Sequence, residues 1–234
     1  FFALSIDREE IAKNIADFAP DILIAPTQIL LAIAKANYKW ANLSKILYGA
    51  EGMNIFERTF IHSRLGIDPA PIYQATEGFL GAPCNKGNLH LNEDNIFFEI
   101  EDLKNGAFSP IISDYKRKTQ AIIKLNLDDI ISFKQCDCGS NYKSIEHIGR
   151  KSDIWHFDKI YFPWEIENLI APHINPTNDW VIIGSKEEIE IYCEIESDFE
   201  KIENALSFLG RKFIRKTYNR QLDFPKRRHI RWRQ

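Results

Sequence analysis

Asp21-Ile22-Leu23-Ile24-Ala25-Pro26 sets the reading of the first third of the chain. A short apolar run between an acid and a proline has the length of a buried strand. Pro26 then stands where a helix can start, with Leu30, Leu31, Ile33 and Ala34 as its apolar side. Upstream, Asp7 is placed to cap a helix carrying Glu9 and Glu10 in its first turn and Ile11, Ile15 and Phe18 on one face. Downstream, Ile46-Leu47-Tyr48 is a second buried strand ending at Gly49. Asn54 to Leu65 reads as a helix stopped by Gly66, and Ile72-Tyr73 as a third short strand. Helix and strand in alternation predict an α/β layer built on a parallel sheet.

Beyond Gly78 the pattern changes. Asn95 to Glu101 ends in clean alternation, and Ser109 to Tyr115 and Ala121 to Phe133 are further extended runs separated by Gly, Asn and Asp. This part reads as a small all-β unit. From Ser152 a third unit begins. Ile154 to Phe157 is a strand, Pro163 starts a helix through Ile170, and Trp180 to Ile183 and Glu188 to Ile195 form a hairpin across Gly184-Ser185. Asp198 is placed to cap a helix closed by Gly210, and Lys212 to Tyr218 and His229 to Trp232 are closing strands. The order β-α-β-β-α-β predicts a two-layer α+β arrangement. The expected domains are therefore 1–81, 82–151 and 152–234.

The 234 residues carry 30 Lys+Arg against 33 Asp+Glu, with 44% hydrophobic and 27% charged residues. This composition excludes disordered, collagen-like and disulfide-scaffold chains. Four cysteines at irregular separations do not form a secreted framework, so reduced thiols in the cytoplasm are expected and a cysteine cluster points to a metal. The apolar stretch Ile22 to Ala34 is broken by Pro26 and Gln28 and is too short to span a bilayer. Ten Lys/Arg and one acid lie between Arg211 and Gln234. Such a tail suits nucleic acid, another polyanion or simply a solvated strand face, and the last is favoured over nucleic acid. The first residues, Phe1-Phe2, lack a Met, which is read as the mark of a fragment or a processed product.

The polar turn Tyr73-Gln74-Ala75-Thr76-Glu77-Gly78 offers a hydroxyl, a carboxylate and a glycine, the groups suited to a phosphate and its metal ion. Gly49-Ala50-Glu51 precedes it. Ile123 to Ile130, Cys136-Asp137-Cys138-Gly139, Gly149-Arg150-Lys151-Ser152-Asp153 and Lys226-Arg227-Arg228 follow. In this order the motifs resemble the adenylate-forming superfamily, in particular its phenylacetate–coenzyme A ligase and coenzyme-F synthetase-like branch. Cys84 to Asp94 is especially similar to that branch.

The resemblance implies the C-terminal part of a large α/β domain, a small β unit and a hinged α+β lid. The activity it implies is ATP-dependent conversion of a carboxylic acid to an acyl-adenylate, with thioester formation on coenzyme A as a second step. Gly49, Ala50, Glu51 and Tyr73 match positions that sandwich the adenine; a core aromatic at the sheet edge is the alternative for Tyr73. Thr76 and Glu77 match the pair at the α-phosphate, the hydroxyl on a phosphate oxygen and the carboxylate on Mg²⁺. Asp129 matches the ribose-binding acid, with Asp128 as the neighbour most easily confused with it. Arg150 matches the arginine that reaches the nucleotide. Ser152 and Asp153 fall at the hinge. Lys226 matches the mobile C-terminal lysine, although it also lies inside a basic run. Asp158-Lys159 replaces a glycine expected near the thiol acceptor's path, which weighs against coenzyme A transfer more than against adenylation.

Cys84, His90, Cys136 and Cys138 form a Cys₃His set suited to structural Zn²⁺. Related proteins carry a similar set. Cys193 reads as a small core residue, His62 as a surface or packing residue, and His147, His156, His173 and His229 fall in no comparable grouping. The expected partners are a nucleotide, a small carboxylic acid and, in a homodimer, a second copy, with no membrane. The Ser/Thr/Gly-rich phosphate loop of the resemblance has no counterpart, so the chain is expected to be inactive alone. The rival reading is a degenerate, non-catalytic fragment that binds a nucleotide or a partner protein.

Overall fold

The computed structural model describes residues 7–50, 52–219 and 228–233. The chain forms two compact units, Phe1–Leu89 and His90–Gln234.

The first unit opens with α1 (Arg8–Phe18), β1 (Ile22–Ala25), α2 (Thr27–Ala36), β2 (Lys45–Tyr48), α3 (Ile55–Leu65) and β3 (Ala70–Pro71). Local chemistry sets the helix ends. The Asp7 carboxylate accepts from the Glu9 and Glu10 amides, and Asn54 and Glu57 form a reciprocal capping box at α3. Gly66 closes α3 in the left-handed region, where a side chain would be strained. The three strands are parallel in the order β1-β2-β3, as the alternation predicts. Ile11 and Ile15 of α1, Leu30 and Ile33 of α2, Ile61 of α3 and Ile46 of β2 share one core.

The buried-strand expectation holds for one face only. Leu23 and Ala25 face the core, whereas Ile22 and Ile24 are 55% and 61% exposed. Phe18 is exposed as well, because the apolar stripe of α1 ends at Ile15. The third strand is also displaced. β3 pairs with β2 at Ala70 and Pro71, and Ile72 only donates its amide to the Tyr48 carbonyl. Tyr73 belongs to the next strand, β4 (Tyr73–Ala75), which turns antiparallel onto β5 (Gly78–Pro83).

β6 (Leu89–Leu91) carries the chain into the second unit. There β7 (Ile96–Asp102), β8 (Phe108–Asp114), β9 (Ile122–Asn126), β10 (Asp129–Phe133) and β11 (Ser144–Arg150) pair antiparallel, β7 with β8, β8 with β9 and β10, and β10 with β11. The run from Ala121 to Phe133 is thus two strands, separated at Leu127-Asp128.

After a 3-10 turn at Lys151–Asp153 come β12 (Trp155–His156), β13 (Ile160–Tyr161), α4 (Pro163–Ile170), β14 (Trp180–Gly184), β15 (Glu188–Cys193), α5 (Ser197–Leu206), β16 (Lys212–Thr217) and β17 (Ile230–Trp232). The sheet order is β16-β15-β14-β17. The expected first strand is not in this sheet: among the described residues β12 pairs only with β13, and β17 takes the place beside β14 in parallel. Trp155 is nevertheless fully buried, with its indole against Gly184, where a Cβ would sit 2.7 Å from the ring. Asp198 does not cap α5. It is buried in the first turn, where its carboxylate accepts from Asn178 and Lys201.

Candidate functional site

Two groups of residues singled out in the sequence lie in the first unit. Gly49 follows β2 beside Ile72, and a Cβ there would lie 2.9 Å from the Ile72 Cγ1 atom. Ala50 follows with φ at 68°, and Glu51 lies outside the described residues. Tyr73 is buried in β4 opposite Gly81. Thr76 and Glu77 form the tight turn between β4 and β5, Thr76 exposed and Glu77 partly so. The polar turn is therefore the tip of an antiparallel hairpin, not the C-terminal end of a parallel strand.

In the second unit, β10 and β11 bring three polar side chains together. Asp129 opens β10 and lies directly opposite Arg150, the last residue of β11. The Arg150 Nε atom is 3.8 Å from the Asp129 Oδ1 atom, and the His147 Nε2 atom is 3.2 Å from the same oxygen. His147 reaches this face through an irregularity in the ladder. Ile130 pairs with Gly149 but Ile131 pairs with His147, so Ile148 is the extra residue of a β-bulge. In a regular strand residues 147 and 150 would point to opposite faces. The bulge puts both on the face of Asp129. Gly149 sits at φ +140°, and a Cβ there would lie 2.9 Å from the Pro163 Cγ atom. Sequence spacing gave no grouping for His147, because the bulge leaves only an unremarkable Ile-Gly as its trace.

Asp128 is turned elsewhere. Its carboxylate accepts from the Ser152 amide at 3.0 Å and the Ser152 hydroxyl at 2.6 Å, and its carbonyl accepts from the Lys151 amide. Of the two adjacent acids, only Asp129 stands with Arg150. Asp153, one residue after Ser152, is buried and accepts from the Arg228 guanidinium at 2.9 Å. Burial holds its carboxyl above the usual carboxylate range, against the pull of Arg228. Lys226 lies outside the described residues.

The Cys₃His set comes together. The ligand atoms of Cys84, His90, Cys136 and Cys138 all lie within 4.8 Å of one another. Cys84 is six residues before His90, on a turn closed by the Gly87 amide to the Cys84 carbonyl and the Cys84 amide to the Asn88 carbonyl. The His90 Nδ1 atom is 2.8 Å from the Tyr142 carbonyl, which only accepts. That contact puts the proton on Nδ1 and leaves the Nε2 lone pair toward Cys138, whose sulfur is 3.4 Å away. Two ligands of one tetrahedral zinc at ordinary bond lengths stand about 3.5 Å apart. The donor set, the tautomer and the spacing all fit Zn²⁺. An open cavity of about 590 Å³ adjoins, lined by His90, Lys134, Cys136, Tyr142 and Ser144 among others. Cys193 stands apart in β15, its thiol pushed up to about 12, chiefly by burial. That is an inert core thiol, as its place in an alternating strand suggests.

Among the described residues no helix is long and apolar enough to cross a membrane. No family model and no curated protein matches the sequence. Solved structures do match. The crystal structure of 2-hydroxyisobutyryl-CoA ligase in the postadenylation state, in complex with an acyl-AMP, aligns with 93% of this chain at a TM-score of 0.71 and 12% identity. The chain shares its fold with the aligned part of that ligase. The anthranilate CoA ligase AuaEII, in complex with anthranoyl-AMP, aligns with 90% of the chain at a TM-score of 0.66 and 13% identity. The A domain of carboxylic acid reductase from Segniliparus rugosus, in complex with AMP, aligns with 92% at 0.63 and 11%. The chain spans 55%, 48% and 44% of these three structures, so it corresponds to about half of each.

Proposed function

We propose that the chain is the C-terminal part of an ATP-dependent ligase that activates a carboxylic acid as an acyl-adenylate. A carboxylate oxygen attacks the α-phosphorus of ATP, and the bond to the β-phosphate oxygen breaks to release pyrophosphate. The observation that carries this reading is the register of β10 and β11. It sets Asp129 against Arg150, the two residues matched to the nucleotide, in a chain whose fold follows acyl-AMP-bound ligases.

In this reading the Asp129 carboxylate accepts from the ribose hydroxyls and Arg150 reaches the nucleotide. Gly49, Ala50 and Glu51 flank the adenine, with Tyr73 against its other side. Thr76 donates its hydroxyl to the α-phosphate, and Glu77 is the carboxylate that would hold Mg²⁺, which supplies charge neutralisation at the phosphates. Lys226 stabilises the charge that develops between carboxylate and α-phosphate. Ser152 and Asp153 form the hinge between the β unit and an α+β lid. Coenzyme A as the acceptor in a second step is a finer reading. It is favoured by the acyl-CoA ligases among the neighbours and opposed by Asp158-Lys159 in the β12–β13 loop. Zinc at Cys84, His90, Cys136 and Cys138 is structural, since four protein ligands leave no open position. A cytoplasmic enzyme suits four cysteines that form no disulfide, and a homodimer is part of the same reading.

Titration of the chain with ATP tests the nucleotide site. Asp129→Ala should weaken binding about 10- to 100-fold, the loss expected when a charged acceptor of hydrogen bonds is removed. In the complete enzyme Glu77→Gln should lower turnover more than it lowers affinity. Wild-type ATP affinity in Asp129→Ala would remove the basis of the reading.

A further inference from the structure

Asp129 is held from one side by a residue that no motif contains. The β-bulge at Ile148 turns His147 onto the face of Asp129, and the imidazole Nε2 atom lies 3.2 Å from the carboxylate Oδ1 atom. The Arg150 Nε atom approaches the same oxygen at 3.8 Å. Asp129 is largely buried, whereas the His147 side chain is 33% exposed and Arg150 47%. An aspartate has two side-chain torsions, and a carboxylate at a strand end can rotate unless something grips it. Contacts on one named oxygen fix that rotation. They set the plane in which the carboxylate offers its remaining lone pairs.

The local backbone is constructed around this contact. Gly149 holds a φ that other residues rarely adopt, and Pro163 fills the space where its Cβ would be. Bulges beside sites re-aim a side chain. Here the re-aimed side chain is His147, and what it meets is Asp129.

We propose that His147 is a positioning residue for the nucleotide's ribose: it clamps Asp129 in the orientation that accepts the 2′- and 3′-hydroxyls. The inference rests on the reading of Asp129 as the ribose acceptor. His147 touches the aspartate and not the reacting atoms, so its effect should be confined to the sugar.

The test compares ATP with 2′,3′-dideoxy-ATP, titrated against the whole chain and against His147→Ala and His147→Gln. Wild-type protein should prefer ATP. His147→Ala should lose about tenfold in ATP affinity with dideoxy-ATP affinity unchanged, because only the hydroxyl-bearing ligand uses the aimed carboxylate. His147→Gln, whose amide can donate from nearly the Nε2 position, should recover most of the loss. If wild-type protein does not discriminate the two nucleotides, the ribose reading of Asp129 fails and the inference falls with it. If wild type and His147→Ala discriminate equally, the ribose reading stands and the role of His147 is overturned. Equal losses for both ligands, with circular dichroism showing a folded variant, would make His147 merely structural and also overturn it.

Discussion

Two carboxylates in the second unit sit beside arginines, and their surroundings drive them in opposite directions. Glu190 accepts from both terminal nitrogens of Arg233, at 2.7 and 3.2 Å, and from the Tyr192 hydroxyl. The Arg233 hydrogen bonds, opposed by burial, hold its carboxyl below the usual range. Asp153 has one close arginine, but its burial dominates and holds it above that range. The linkage signs follow. Glu190 stabilises the fold above the ordinary carboxylate pKa, and that contribution is lost as pH falls through its lowered value. The folded state holds the Asp153 proton more tightly than the unfolded chain does, so its contribution declines as pH rises from the ordinary carboxylate value through the raised one. Melting temperatures of Glu190→Gln and Asp153→Asn between pH 4 and 7 check both signs. The deficit of Glu190→Gln relative to wild type should grow toward pH 7. Asp153→Asn should instead gain on wild type over the same rise. A constant difference across the range for either variant refutes the account of that residue.

At the scale of elements, the Cys₃His cluster couples segments far apart in the chain: the turn before β6 and the loop between β10 and β11. Among the described residues that loop holds no helix or strand of its own, from 134 to 143. If zinc organises it, purified protein contains about one zinc per chain, and Cys138→Ser or His90→Ala loses it. Chelation should then raise amide exchange first in residues 84–90 and 134–143, before the core around Trp155, Ile182 and Ile191. Stoichiometric absence of zinc in protein purified without chelator would end this reading. The cluster was legible because C-x-C-G and the Cys84–His90 spacing are local signals carried by rare residue types. The caps of α1 and α3 were legible for a similar reason: Asp7, Asn54 and Gly66 act within a few residues of themselves. What escaped was set by pairing partners. Tyr73 to Ala75 is too short for alternation to declare whether it runs parallel or antiparallel. β12 reads as a strand of the main sheet until β17, some 75 residues later, is seen to occupy the position beside β14. His147 was hidden because a single inserted residue reverses which face a side chain takes.

Across the molecule, the chain equals only about half of the structures it follows. If the chain is part of a longer ligase, the proposed activity belongs to the whole, and Lys226 is the residue whose proposed role depends most on motion. Its own position lies outside the described residues, but its chain neighbourhood is informative. Arg228, two residues on, is tied to Asp153, while Ser152 is tied to Asp128. Adjacent residues are thus tied to different segments, Ser152 to the residue before β10 and Asp153 to the chain entering β17. A pivot passing between Ser152 and Asp153 would move Arg228 together with Asp153. If Lys226 is delivered to the α-phosphate by such a rotation, its ammonium acts only while the adenylate forms. Lys226→Ala in the full-length enzyme should then abolish pyrophosphate exchange with ATP affinity nearly intact. A pre-made acyl-adenylate offered with coenzyme A should still be consumed at close to the normal rate. The reason is energetic: a charge that stabilises only the transition state of the first half-reaction contributes nothing to binding ATP or to the second. Equal slowing of both half-reactions would assign Lys226 a structural role instead, and the pivot would lose its purpose.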